Sequence, residues 1–331
     1  MFKHRRMVAG LVTTIAAALA LTSCAASGTP AASNASSGAK QYRVAYIARA
    51  QADSFAAWLA NEMKAEAAKY PDMKLEVFDG EANDEKQNTM IENAIANRFD
   101  AVIVQPNNGE AQRPYIEKVV AANIKTITTN PRVSDIQGAS SVDANPYDQG
   151  AVVAQRAVND VPQNARVVVL NGPAGNFHAT ERRKAWASEF FAKRPDVQIV
   201  AENIANWNKD EAMRMMEDWI VANGKIDAII SMNDNMAAGA LEAAGTKGDL
   251  GGILAYGVDG TPEATLLIKS GKMKATTLQA AGTLAQLNIK AVHDLLTGKE
   301  TQVDDNIDNP VIDATNVDQY IDMYKKAGLL K

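Results

Sequence analysis

Between residues 41 and 331, short β-branched runs alternate with longer stretches that space their apolar residues helically, and halfway along the chain this alternation begins again. The first round runs Arg43 to Ile47, Phe55 to Lys69, Lys74 to Phe78, Asp84 to Asn97, Ala101 to Val104, Glu110 to Ala122 and Lys125 to Thr128. The second runs Val167 to Leu170, Thr180 to Lys193, Gln198 to Glu202, Lys209 to Ala222, Ala228 to Ser231, Ala237 to Ala244 and Ile253 to Gly257. Strand, helix, strand in this rhythm specifies parallel sheets covered by helices on both faces. The halves share local wording: Phe99-Asp100-Ala101-Val102-Ile103-Val104 is echoed by Ile226-Asp227-Ala228-Ile229-Ile230-Ser231. The length suits two domains, so the α/β fold expected is two doubly wound, Rossmann-like lobes.

The N-terminus follows different rules. Lys3, Arg5 and Arg6 precede the apolar run Val8 to Leu21, the layout of a secretory signal rather than a membrane span. Leu21-Thr22-Ser23-Cys24 resembles a bacterial lipobox, which implies cleavage before Cys24, lipidation of its thiol and export, with the body anchored at the cell membrane and facing the periplasm or exterior. Residues 24–40 are almost all Ala, Ser, Gly, Asn and Thr and read as a flexible tether. Removing residues 1–23 takes away three basic groups and no acidic ones, leaving a net charge of about −8. That disfavours nucleic acid as a partner. Cys24 is the single cysteine, so no internal disulfide forms.

In doubly wound sheets ligands sit beyond the carboxyl ends of the strands. The loops there carry amides (Gln105, Asn107, Asn130, Asn203, Asn233, Gln279), carboxylates (Asp53, Asp143, Asp234, Asp259), guanidinium groups (Arg132, Arg182) and aromatics (Phe55, Trp207). Planar polar groups suit the rim of a polyol and aromatic rings suit its C–H faces.

Three ordered segments then carry a family resemblance: Met232-Asn233-Asp234-Asn235-Met236-Ala237-Ala238-Gly239-Ala240-Leu241, Gly257-Val258-Asp259-Gly260-Thr261-Pro262 and Gly271 to Gln279. They resemble the ribose/galactose type of periplasmic binding proteins. The resemblance implies two lobes joined by three crossings, a sugar held between them, and an ATP-driven (ABC) importer whose permease reads the closed form. It also implies the contacts. Asp53, where an amide is usual, and Phe55 match the start of the first helix. Asn130 falls where ribose binders carry aspartate, but Pro131 follows and Arg132 comes one place late. Asp143 lies at the first crossing. Arg182 fits the R-x-x-x-aromatic frame, although Ala185 stands where glycine is usual. Trp207 matches a second stacking aromatic, and Asn233, Asp259 and Gln279 complete the rim.

Competing roles stand beside these. Trp207 has a core reading; Trp58, Trp186 and Trp219 read as packing; Asp259 also suits a cap on a helix at Thr261-Pro262; Asp234 reads as a better N-cap and Asn233 as a better ligand. Glu62, Lys64 and Glu66 read as a solvated face. An enzyme is disfavoured. The first turn, Ala48 to Asp53, lacks the glycines of a dinucleotide site, and neither His178, a hydrogen bonder near the ligand, nor His293, read as a surface residue, has a catalytic or metal-ligand partner in sequence. No cofactor and no metal is expected.

The reading is a lipoprotein monomer that captures an uncharged sugar or cyclic polyol by hinge closure. Its expected lobes are residues 41–143 plus 280–305 and 144–279 plus 306–331, with Ile307 to Asp313 as the third crossing and a closing helix at Val317 to Lys326. Trp207-Asn208-Lys209-Asp210-Glu211-Ala212-Met213 resembles binders of inositol, against pentoses or hexoses as the alternative. A sensory protein presenting a sugar or a furanosyl autoinducer to a receptor is the second reading of the same surface.

Overall fold

The computed structural model describes residues 40–246 and 252–331. The signal-peptide and Cys24 readings, and the tether up to residue 39, lie outside them. The order of elements is β1 (Tyr42–Ala48), α1 (Ser54–Ala67), β2 (Met73–Asp79), α2 (Asp84–Ala96), β3 (Ala101–Val104), α3 (Gly109–Ala121), β4 (Lys125–Thr129), β5 (Ser140–Ala144) and α4 (Pro146–Asp160). Then come β6 (Arg166–Asn171), α5 (Phe177–Trp186), a π-helical turn (Ala187–Phe191), β7 (Gln198–Ile204), α6 (Lys209–Asn223), β8 (Ala228–Ser231), α7 (Asp234–Thr246) and β9 (Leu254–Tyr256). The chain closes with α8 (Pro262–Lys269), β10 (Ala275–Thr277), α9 (Ala281–Thr297), β11 (Asp304–Ile307), β12 (Val311–Asp313) and α10 (Val317–Lys326).

Two six-stranded sheets result, ordered β11-β5-β4-β3-β1-β2 and β12-β10-β9-β8-β6-β7. All pairings are parallel except β10 with β12. This is the doubly wound, two-lobed α/β fold that the restarted alternation implies. Side chains alternate across a strand, so β1 serves both faces of its sheet. Val44, Tyr46 and Ala48 pack with Leu59 and Met63 of α1 and with Leu284, Ile289 and Val292 of α9. Ala45 and Ile47 pack with Ile91 of α2 and Ile116 and Val119 of α3. Burial on both faces is why β1, β3, β6 and β8 read as unbroken apolar runs. In the second lobe Trp186 meets Phe190 and Tyr256 edge-on, with ring centroids 5.5 and 5.8 Å apart. Trp186 is therefore core, as its helical setting suggested.

The chain passes between the sheets after β5, between β10 and α9, and between β11 and β12. The crossings are tied together: Leu278 N donates to Pro310 O at 2.8 Å and Asn309 Nδ2 to Asn145 O at 3.4 Å. β5 and α4 escaped the strand–helix reading, because Ser140-Ser141-Val142-Asp143-Ala144 holds a single β-branched residue and its burial comes from neighbours on both sides. One histidine also differs from expectation. His293 lies against Tyr70 at 4.8 Å and its Nε2 is 3.1 Å from Asp72 Oδ2, so it is half-buried rather than a surface residue.

Candidate ligand-binding site

Helix N-termini converge on the space between the lobes, and short polar residues cap them. Asp53 caps α1 through Ala56 N (2.8 Å), Asn108 caps α3 through Glu110 N and Ala111 N, Asn145 caps α4 through Tyr147 N and Asp148 N, and Asn176 caps α5 through Ala179 N (3.1 Å). Asn233 Oδ1 accepts from Met236 N (2.9 Å) at the start of α7, and Thr261 caps α8 through Ala264 N (3.2 Å). The sequence reading of two neighbours is thereby corrected: Asn233, not Asp234, performs the capping, while Thr261 rather than Asp259 caps α8.

Side chains from these loops and from the strand ends beside them line a small cavity between the lobes. Asp53, Phe55, Asn130, Arg182, Trp207, Asn233, Asp259 and Gln279 all line it, joined by Arg49, Gln105, Pro131, Asn176 and His178. Asp143 is not among the lining residues. It lies behind His178, whose Nε2 is 3.0 Å from Asp143 Oδ1, and it accepts from the backbone N–H groups of Arg132 and Ala144 at 2.8 Å each. Burial works to raise the Asp143 carboxyl, but the His178 imidazole and those N–H groups outweigh it and hold it below the usual carboxylate range. Burial lowers His178, against the pull of Asp143, so the ring is neutral. Its tautomer follows from its partners: Asp143 accepts from Nε2–H, and Nδ1 accepts from Arg182 Nη2 at 3.3 Å.

Arg182 organises the second lobe's wall. Buried to 2 % exposure, it donates to Gln149 Oε1 at 2.8 and 3.0 Å, to Met232 O at 2.8 Å, to Gln279 Oε1 at 3.3 Å and to Asp259 Oδ1 at 3.5 Å. Asp259 stands at φ 117°, a conformation that L residues rarely adopt. It is held there by Asp259 N to Thr277 O (2.9 Å) and Gln279 N to Asp259 O (3.0 Å). Gly150 of α4 lets α5 approach: a Cβ there would lie 2.8 Å from Arg182 O and 3.0 Å from the Ala185 Cβ. The small residue that Ala185 lacks is thus supplied by the opposing helix.

Asp234 is buried beside this cluster, accepting from Thr276 Oγ1 (2.6 Å) and Thr261 N (2.8 Å). Burial pushes its carboxyl up to about 7, against these hydrogen bonds and Arg182. Burial also raises Asp259, with Arg182 opposing and Asp234 and Asp53 adding repulsion. Two raised carboxyls around one arginine form a neutral cluster when one of them holds its proton. A carboxyl whose folded pKa is raised stabilises the fold at low pH and withdraws that stability as the pH rises through the folded value. Asp234→Asn keeps the acceptor for Thr261 N. Its melting temperature relative to wild type should therefore climb by several degrees between pH 5 and pH 8, each tenfold in proton affinity being about 1.4 kcal/mol. A difference that stays flat across that range would show that Asp234 ionises normally.

On the first lobe, Gln105 is held at both ends of its amide: Oε1 accepts from Tyr46 Oη and Arg49 N, both at 3.0 Å, and Nε2 donates to Asn130 Oδ1 at 3.0 Å. This fixes Asn130, at φ 44° before a cis Pro131, with its Nδ2 buried and without a partner in the described residues. A buried donor left unmade costs stability, so Asn130 Nδ2 is a vacant donor on the cavity wall. Arg132 turns away to Asp304 Oδ1 (2.7 Å) and Asn306 Oδ1 (2.9 Å) on β11. The arginine of this wall is Arg49, which sequence reasoning passed over; its signal was an opposite charge four residues before Asp53 at a strand end. Phe55 and Trp207 supply the apolar faces, with 4 and 5 % exposure, and Trp58 backs Phe55 edge-on at 5.9 Å. Asn176 Nδ2 donates across the cleft to Asn107 O at 3.0 Å, so the lobes meet over the cavity.

Residues 44–300 match the family model described as a periplasmic binding protein domain. A xylitol-binding protein of Mycolicibacterium smegmatis is 28 % identical over 237 residues, covering 71 % of this chain and 67 % of the relative. A Bacillus halodurans ABC transporter solute binding protein with bound myo-inositol superposes with a TM-score of 0.81 at 25 % identity, covering 87 % of this chain and 100 % of that one. The Caulobacter myo-inositol binding protein bound to myo-inositol gives 0.80 at 26 % identity, over 85 and 97 % of the two chains.

Proposed function

Since the chain belongs to the periplasmic binding protein family, in its type I sugar-binding branch, we propose that it captures an uncharged cyclic or linear polyol, inositol-like or xylitol-like, and delivers it to an ABC importer. The family places it outside the cytoplasm. Polyol binding rests first on Asn130 Nδ2, the buried donor with no protein partner. Around it stand two aromatic faces and a wall whose charges pair: Arg49 with Asp53, and Arg182 with Asp259. The relatives with bound myo-inositol and the xylitol binder support that ligand class.

The lobe built on the β11-β5-β4-β3-β1-β2 sheet, which keeps Ala144, Asn306 and Ile307 that the expected bounds gave to its partner, and the lobe built on the β12-β10-β9-β8-β6-β7 sheet are the bodies that close over the ligand, which selects the closed state by touching both. Asp143, through His178, joins the two at the first crossing. The protein acts as a monomer without cofactor or catalysis, held near the permease by a lipid on Cys24, which raises its effective concentration.

A thermal-shift screen with inositols, linear polyols, pentoses and hexoses tests this. A ligand at 100 times its Kd adds about 2.7 kcal/mol to stability. The hit should weaken about tenfold or more in Asn130→Asp, which keeps the acceptor for Gln105 but replaces the vacant donor with an acceptor. No stabilisation by any sugar or polyol would sink the reading.

A further inference from the structure

The first lobe offers one cavity-lining guanidinium, and it comes with its own counter-ion. Arg49 Nη2 lies 2.7 Å from Asp53 Oδ2, and both side chains are more than nine-tenths buried, at 6 and 8 % exposure. The other carboxylate oxygen, Asp53 Oδ1, is taken by Ala56 N at 2.8 Å. Asp53 therefore has both oxygens committed, one to the helix and one to the arginine. Arg49 does not: among the described residues no hydrogen bond takes its remaining side-chain donors, and it faces the cavity beside Asn130.

We propose that Arg49 and Asp53 work as one specificity-determining unit, in which Arg49 donates to vicinal hydroxyl oxygens of the ligand while Asp53 cancels its charge. The cavity then accepts neutral polyols and rejects the corresponding sugar acids. This rests on the polyol-binding function above. A guanidinium presents donors in a planar fork that matches two adjacent oxygens. The same fork matches a carboxylate better still, so an unpaired arginine here would favour acids. The buried Asp53 carboxylate removes that advantage, because a second anion on the fork would meet it in a low-dielectric wall. On the opposite wall Arg182 is similarly matched by Asp259. Selectivity against charge then arises from repulsion as much as from attraction.

The pair can be dissected by calorimetric titration with the neutral polyol that stabilises wild type most, and with D-glucuronate and D-galacturonate. Asp53→Asn keeps the cap, since Asn caps as well as Asp, and frees Arg49. It should raise the acid-to-neutral affinity ratio at least about tenfold. The double variant Arg49→Gln/Asp53→Asn restores neutrality without the fork; it should return the ratio to the wild-type level while weakening the neutral ligand. Melting temperatures taken alongside show that each variant is folded. A ratio unchanged in Asp53→Asn, with wild type still binding its polyol, would overturn the inference alone. Wild type binding no neutral sugar or polyol would overturn the function and this inference together.

Discussion

Arg182→Met is expected to weaken ligand binding by about 30-fold or more and to destabilise the second lobe. The guanidinium donates to Gln149, Met232 O and Gln279 and balances Asp259, so its loss leaves several buried acceptors unmatched at once. Removing one partner of a buried, hydrogen-bonded charge pair costs about 3–5 kcal/mol of stability. Binding suffers separately, by about 2–5 kcal/mol. Asp259 and Gln279 lose the group that fixes them, and the vacated volume lets in water. Methionine roughly preserves the apolar stem, so the deficit reports the charged head. Urea unfolding and calorimetry at pH 7 would measure the two losses independently. A variant that binds within about threefold of wild type would mean that Arg182 is only scaffolding for α5, and the second-lobe wall would need a different donor.

Gly172→Ala should be nearly as damaging, although it adds one carbon. A Cβ at Gly172 would fall 2.2, 2.3 and 2.5 Å from Cζ2, Cη2 and Cε2 of Trp207. The indole has little room to retreat: Trp207 is buried, its backbone sits at φ 62° after Asn206 at φ 51°, and its carbonyl is held by Asn235 Nδ2 at 2.9 Å. Overpacking of this kind costs about 1–3 kcal/mol, and here the displaced ring is a wall of the cavity, so affinity should fall with stability. Trp207→Phe supplies the control. The smaller ring clears the methyl, and Gly172→Ala should cost markedly less in that background, a coupling that a double-mutant cycle measures. Additive effects would place the indole elsewhere in solution.

The fold was legible because parallel strands buried on both faces must be apolar through their buried centres, and Val44–Ala48 of β1, all of β3, Val167–Leu170 of β6 and Ala228–Ile230 of β8 are. β5 was not, since Ser140 and Asp143 are buried by the crossing and by β11 rather than by any pattern of their own. The same split runs through the site. Loops after strands announced Phe55, Asn130, Arg182, Trp207, Asn233, Asp259 and Gln279, and the cavity gathers all seven. Asn176 went unremarked because nothing local distinguishes a cap that reaches across a cleft, and Arg49 because its one local signal, a carboxylate four residues on, does not tell an arginine that turns inward from one that faces solvent.

From its order of residues alone the chain determines two restarted α/β lobes, a polar rim with aromatic faces and a net negative surface, since these follow from local periodicity and residue chemistry. Which of those polar groups spend their hydrogen bonds on the protein and which keep one for a ligand was decided by the tertiary structure. Asp143 is sealed behind His178, Arg132 is drawn off to Asp304, Asp53 is committed to its helix and to Arg49, and Asn130 keeps a donor. Hydrogen-bond satisfaction is a property of neighbours brought together from distant parts of the chain, and no sequence window contains them.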